Sequence, residues 1–306
     1  MARNLSRRAA AQIASGVALS GLSGVTSARA EAQRVIPNAI DLWTPEDKVT
    51  ALVKQQGRTD EGRVFWRFQG IIYAFNAPET PVPLLRFSGC EQQWWEPQDD
   101  GSFVRYSSLL TYFRDLDSGK LIRSFTNPIT GKKVELKENW SRLPEGTEIS
   151  QRGLVNRVLD EAFPDFYKDR SIDDIDMRLI DGTVAFHQKT IWPKALMRKP
   201  YNQDNTFYVS FADVADPEKP WIPTHGAGHI LMPSMANIGM TDPSQGQVLW
   251  HVEYYKVRGL EHFQPDYLEA ARQDYGDYFE INPKYDTAPS KLGARLEKLG
   301  LMKKTN

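Results

Sequence analysis

Arg63-Val64-Phe65-Trp66-Arg67-Phe68-Gln69-Gly70-Ile71-Ile72-Tyr73-Ala74-Phe75 decides the fold. Aromatic and β-branched side chains fill this run, Pro is absent from it, and its period is two, so it reads as one long strand. Further strand-like runs follow at 84–95, 103–114, 121–125 and 133–136. Asp99-Asp100-Gly101, Asp117-Ser118-Gly119 and Asn127-Pro128-Ile129-Thr130-Gly131 separate them with strong turn chemistry. Turns this closely spaced leave no room for the long crossovers of parallel strands, so the sheet is an antiparallel meander. Later strands are expected at 176–180, 183–191, 206–212 and 247–257, the first two joined by Asp181-Gly182. Helices are expected from Thr44-Pro45 to Gly57, over 154–163 up to Pro164, and over 265–275 and 289–299, with Gly300 as the last C-cap. These readings predict a mainly β fold. Its antiparallel meander of about nine strands, with flanking helices, forms a curved sheet or a calycin/lipocalin-like barrel; a two-layer α+β sheet is the alternative.

The first thirty of the 306 residues read differently. Arg3 and Ser6-Arg7-Arg8 open a basic segment, a mildly apolar Ala/Gly/Ser stretch follows, and Ala28-Arg29-Ala30 closes it as a cleavage site. The paired arginines, the mild hydrophobicity and Arg29 favour twin-arginine export to the periplasm over the general secretory route. The stretch is too short and too rich in Gly and Ser for a membrane span. Residues 31–306 then form a single β-rich domain, helical from about 265. Without the first thirty residues, which carry four arginines and no acid, the formal charge falls from −1 to −5. No basic patch points to nucleic acid. The expected partners are the twin-arginine export machinery and a small-molecule substrate or ligand. A lone cysteine, Cys90, excludes an internal disulfide and reads as a buried thiol.

Three groups of residues carry candidate chemistry. In Val248-Leu249-Trp250-His251-Val252-Glu253-Tyr254-Tyr255, strand alternation places His251, Glu253 and Tyr255 on one face. An imidazole, a carboxylate and a phenol in line suit general acid–base catalysis, with His229 as a further proton carrier. A solvent-facing polar stripe produces the same pattern. His225-Gly226-Ala227-Gly228-His229 reads as a Gly-rich loop whose two histidines are candidate ligands for zinc or iron. Arg67 and Tyr73 share a face of the first strand, and Arg86 lies on the next. If these faces line a barrel, the guanidiniums bind a carboxylate, with Trp94 and Trp95 as aromatic walls. No phosphate loop, dinucleotide fingerprint, nucleophile elbow or paired-cysteine motif is present, which disfavours an enzyme with an organic cofactor.

Tyr112-Phe113-Arg114-Asp115, Asp117-Ser118-Gly119-Lys120 and Thr126-Asn127-Pro128-Ile129-Thr130-Gly131 form a recognisable series. With Trp140, Pro220-Trp221-Ile222-Pro223 and His251-Val252-Glu253, the chain resembles the bacterial and fungal family called domain of unknown function 1838. The resemblance covers roughly residues 48–260. It implies an exported protein linked to aromatic or terpenoid compounds, and no general activity. Two functions therefore stand open. One is a cofactor-independent lyase, isomerase or hydratase acting through His251. The other is a periplasmic lipocalin-like carrier of an apolar ligand. A metal-dependent enzyme at His225 and His229 is a third.

Overall fold

The long alternating run forms strand β1 (Gly62–Phe75). The computed structural model describes residues 36–302, apart from 76–78, 197–200, 234 and 287–289; the export signal read at 1–30 lies outside the described residues. β1 leads into β2 (Val82–Pro97), β3 (Phe103–Arg114), a small hairpin of β4 (Ser124–Thr126) and β5 (Lys133–Glu135), then β6 (Asn139–Ser150) and β7 (Gly153–Asn156). A second meander follows: β8 (Asp176–Ile180), β9 (Thr183–Thr190), β10 (Asn202–Ser210), β11 (Thr224–Met232) and β12 (Gln247–Val257). Ten strands build one antiparallel sheet in the order β7-β6-β3-β2-β1-β12-β11-β10-β9-β8, while β4 and β5 pair with each other. β1 and β12 zip together from Phe65 opposite Val257 to Phe75 opposite Gln247. Two five-stranded meanders are thus fused at their centre. The sheet curls into a half-barrel with helices around it, so the fold is mainly β and antiparallel, in the curved-sheet form of the expectation.

Helix α1 (Pro45–Gln56) fills the hollow. It starts where Thr44 Oγ1 accepts from the Asp47 amide while Asp47 Oδ2 accepts from the Thr44 amide, with Pro45 at the first position. Ala51, Leu52 and Val53 are fully buried against the inner faces of the strands. The carbonyls at its C-terminal end need donors, and inner-face side chains supply them. Trp66 Nε1 donates to Gln56 O at 2.8 Å, Thr224 Oγ1 to Gln55 O at 2.8 Å, and Lys256 Nζ to Gly57 O at 3.0 Å and to Lys54 O. The Lys256 ammonium therefore sits at the negative end of the helix dipole. Burial still pushes its pKa well below the usual lysine range.

The remaining helices are α2 (Arg157–Ala162), α3 (Pro164–Tyr167), α4 (Phe211–Ala215), α5 (Pro265–Tyr275) and α6 (Lys291–Lys298). α5 covers the outer face of β1, β2 and β3, where Phe65, Cys90, Leu110 and Tyr112 pack on Tyr267, Ala270 and Ala271. Arg114 docks it with a two-pronged contact to Asp266 at 2.7 and 2.9 Å. Cys90 is a buried thiol, and burial raises its pKa well above the ordinary value.

The helix expected from residue 154 begins later, because residues 153–156 pair with β6 as β7. Gly153, at φ +79°, makes that hairpin possible, and Asn156 then caps α2 through Leu159 N. β6 itself carries no clear alternation of apolar residues, since most of it is only half-buried.

Candidate functional site

β12 sorts its side chains as alternation predicts. Val248, Trp250 and Val252 are buried on the inner side, and His251, Glu253 and Tyr255 occupy the other. Pairing with β11 brings His229 directly opposite His251 and His225 opposite Tyr255. His251 Nδ1 lies 3.1 Å from His229 Nε2, so one ring must donate to the other. Glu253 does not orient His251. Its Oε2 accepts from Gln69 Nε2 at 3.1 Å and from the Tyr255 hydroxyl at 3.3 Å. Partial burial, then the Glu253 charge, raise the Tyr255 pKa.

The expected arginines also lie on this outer face, not inside a barrel. Arg67 sits 4.8 Å from the centre of the Tyr255 ring and donates to His262 O. Arg86 donates from Nε to Leu116 O, and together with Gln69, His251 and Glu253 it lines an open groove of about 500 Å³. Tyr73 pairs with Leu249 on the same face, beyond that groove. Trp94 and Trp95 are divided by the pleat: Trp94 is half-buried beside Glu96, whereas Trp95 is completely buried in the inner core. They do not form one aromatic wall.

The metal reading at His225 and His229 needs correction on geometry. The segment is strand β11 and not a loop. Four residues of strand rise separate the two histidines by about 13 Å, with Ala227 between them on the same face, so they cannot hold one ion together. Among the described residues, no three His, Cys, Asp or Glu side chains are grouped to hold a metal. The two glycines answer to packing. A Cβ on Gly228 would lie 2.0 Å from Asn205 Oδ1, and one on Gly226 would lie 2.6 Å from the Phe207 ring. Both face the hollow, where their bare backbone lets neighbours from β10 lie across β11.

A second polar constellation, unmarked in the sequence reading, occupies the hollow itself. Arg105 Nη1 donates to Gln56 Oε1 at 2.5 Å, Gln56 Nε2 to Gln188 Oε1 at 2.8 Å, and Gln188 Nε2 to Gln55 Oε1 at 3.0 Å. The chain of amides ties α1 to β3 and β9 across the half-barrel. Next to it, the Tyr254 hydroxyl donates to Asn205 Oδ1 at 3.1 Å, and burial strongly raises its pKa. Arg105 Nε and Gln55 Nε2 are buried without a hydrogen-bond partner. Arg105, Gln188 and Asn205 open onto a cavity of about 540 Å³ at the end of the hollow, between the β6–β7 hairpin and β9. Leu143, Leu154, Leu159, Phe166 and Trp192 supply its apolar wall. Around that wall the lining is largely polar, with Arg152, Arg170, Asp174, Asp176 and Lys189 among it, and the volume falls within the range usual for a small-molecule site.

Sequence reasoning missed Arg105 because both faces of 103–114 mix polar and apolar residues, so alternation does not mark an inside. The available signal was the Gln55-Gln56 pair at the end of an otherwise apolar helix face, which calls for polar partners in the core. No known protein-family model matches the chain, and no curated protein shows significant similarity to it.

Proposed function

We propose that this protein is a binding protein that holds a small, largely apolar molecule in the hollow of its half-barrel. The observation that carries the reading is the cavity of about 540 Å³, walled by Phe166, Trp192 and Leu154 and floored by the amides of Gln188 and Asn205. Polar groups already locked to α1 and to each other are preorganised, which lowers the ordering cost of binding. In the same proposal the chain belongs with domain of unknown function 1838. It works in the periplasm after twin-arginine export, on the strength of Arg7-Arg8 and Ala28-Arg29-Ala30. The test is titration with N-phenylnaphthylamine, a neutral dye that fluoresces in apolar cavities. Saturable binding of one dye per chain is expected, and Leu143→Trp, which fills the cavity wall, abolishes it. Dye binding that Leu143→Trp leaves unchanged would place the dye elsewhere and sink the reading.

A second reading rests on the contact between His229 and His251 beside Glu253 and Arg86. Two imidazoles in hydrogen-bond contact can relay a proton, and a guanidinium in the same groove can hold a carboxylate. In this reading the groove is the active site of a lyase, isomerase or hydratase. His251→Ala then stops the conversion that the wild-type protein carries out on a panel of small aromatic and terpenoid carboxylates, as followed by mass spectrometry. Conversion at the wild-type rate removes His251 from the chemistry.

A further inference from the structure

The inner cavity carries one feature that an apolar ligand alone leaves unexplained. Among the described residues Arg105 has a single hydrogen-bond partner, Gln56, and its Nε is both shielded from water and unpartnered. Among the described residues no carboxylate lies within ion-pair distance of it. A guanidinium offers five N–H donors in a planar fork, and here the neutral Gln56 takes one at Nη1 while Nε has none. Desolvation already lowers its pKa, and the negative charge that it feels, from Glu91, acts without contact. Arg105 is half-buried, and a charge partly withdrawn from water with no carboxylate beside it is costly.

The rest of the lining reinforces the sign. Arg152 is paired with Asp160 and Arg170 with Asp174, whereas Asp176 is held by Arg178. Those pairs neutralise one another. Two lining cations then remain without a carboxylate partner among the described residues: Arg105 in the hollow and Lys189 at the exposed rim. A chain of negative formal charge has thus kept a positive surplus in this cavity.

We infer that the ligand of the cavity is an organic anion, a carboxylate or a sulfonate on an apolar ring or hydrocarbon body, whose head pairs with Arg105 while its body lies against Leu154, Phe166 and Trp192. The anionic oxygens of either head match the guanidinium N–H groups that Gln56 does not take. Gln188 and Asn205 lie within the same cavity and select for an oxygen-bearing body over a plain hydrocarbon.

The inference rests on the cavity reading above, and the experiment separates the two. Naphthoate and its neutral amide, equal in shape, compete against N-phenylnaphthylamine on the wild-type protein. Naphthoate is expected to compete at about tenfold lower concentration than the amide, as a charge-assisted hydrogen bond to a desolvated guanidinium warrants. In Arg105→Gln the preference of acid over amide, read as a ratio within that variant, falls to about twofold or less. Equal competition by acid and amide on the wild type would overturn the anion assignment and leave the cavity reading standing. A preference that survives Arg105→Gln would overturn the role of Arg105. Failure of the dye to bind at all removes the cavity reading and this inference with it. Should Arg105→Gln fail to fold, the acid and amide pair on the wild type decides alone.

Discussion

The inner and outer faces of the sheet are built from the same strands, yet their polar groups do different work. On the outer face, His251 meets His229, Glu253 takes the Tyr255 hydroxyl and Arg67 lies over the Tyr255 ring, at half-buried or exposed positions where solvent screening keeps contacts weak. On the inner face, Arg105, Gln56, Gln188, Asn205 and Tyr254 are fixed to side chains of α1 or to each other, where the low dielectric makes each bond and each missing bond count. A polar residue on a strand therefore acquires meaning from the side it faces. The outer set is chemically more suggestive; the inner set is better built to hold a ligand.

Neighbouring tryptophans make the strongest contrast. Trp95 is completely buried, over Gly57, and donates to Gln93 Oε1 at 2.8 Å. Trp95→Ala is expected to cost about 3–5 kcal/mol in urea unfolding, and Trp94→Ala on the other face only about 1 kcal/mol. Equal costs would erase the distinction between the faces. Strand β11 allows a subtler version. Gly228→Ala drives a methyl into Asn205 and is expected to cost about 1–3 kcal/mol, while Ala227→Ser, one residue away and facing outward, stays within about 0.5 kcal/mol. Loss of the Tyr254 contact to Asn205 is the structural mark to seek in the first variant.

Acid titration probes how the covered part of the outer face is held. The hydrogen bond from Arg114, and then its charge, keep the Asp266 carboxyl below the usual carboxylate range. A folded-state pKa below the unfolded one gives stability that is complete above about pH 4 and is lost as the pH falls through the folded value. Asp266 is half exposed, so after screening the contribution is about 1 kcal/mol or less. Asp266→Asn should flatten the decline of stability below pH 4 by that amount; an unchanged decline would assign it to other carboxylates. The smallest effect is expected at the exposed histidines, where His251→Ala changes stability by no more than about 0.5 kcal/mol. A larger loss would show that the outer stripe is structural.

Much of this architecture was legible beforehand because turns and alternation are local. Asp181-Gly182 joins β8 to β9 with both residues at positive φ, and Phe103–Arg114 and Gln247–Val257 begin and end where the run of side chains says they should. β11 was not legible. Its glycines look like a loop until the neighbours on β10 are known, for the side chains that require them, Phe207 and Asn205, are remote in sequence. The contact of His229 with His251 is hidden for the same reason, since it exists only in the register of β11 on β12.

The amino-acid sequence by itself determined the strand period, the turns between neighbours, the cap that starts α1 and the division of each strand into two faces. These follow from interactions among residues a few positions apart. Tertiary structure alone decided which face became the inside. Phe65 and Trp66 are both large and apolar, and α5 covers one while α1 takes the other. That choice carried Arg105 into the hollow and left Arg67 and Arg86 outside, because burial depends on what packs against a face and alternation records only that there are two.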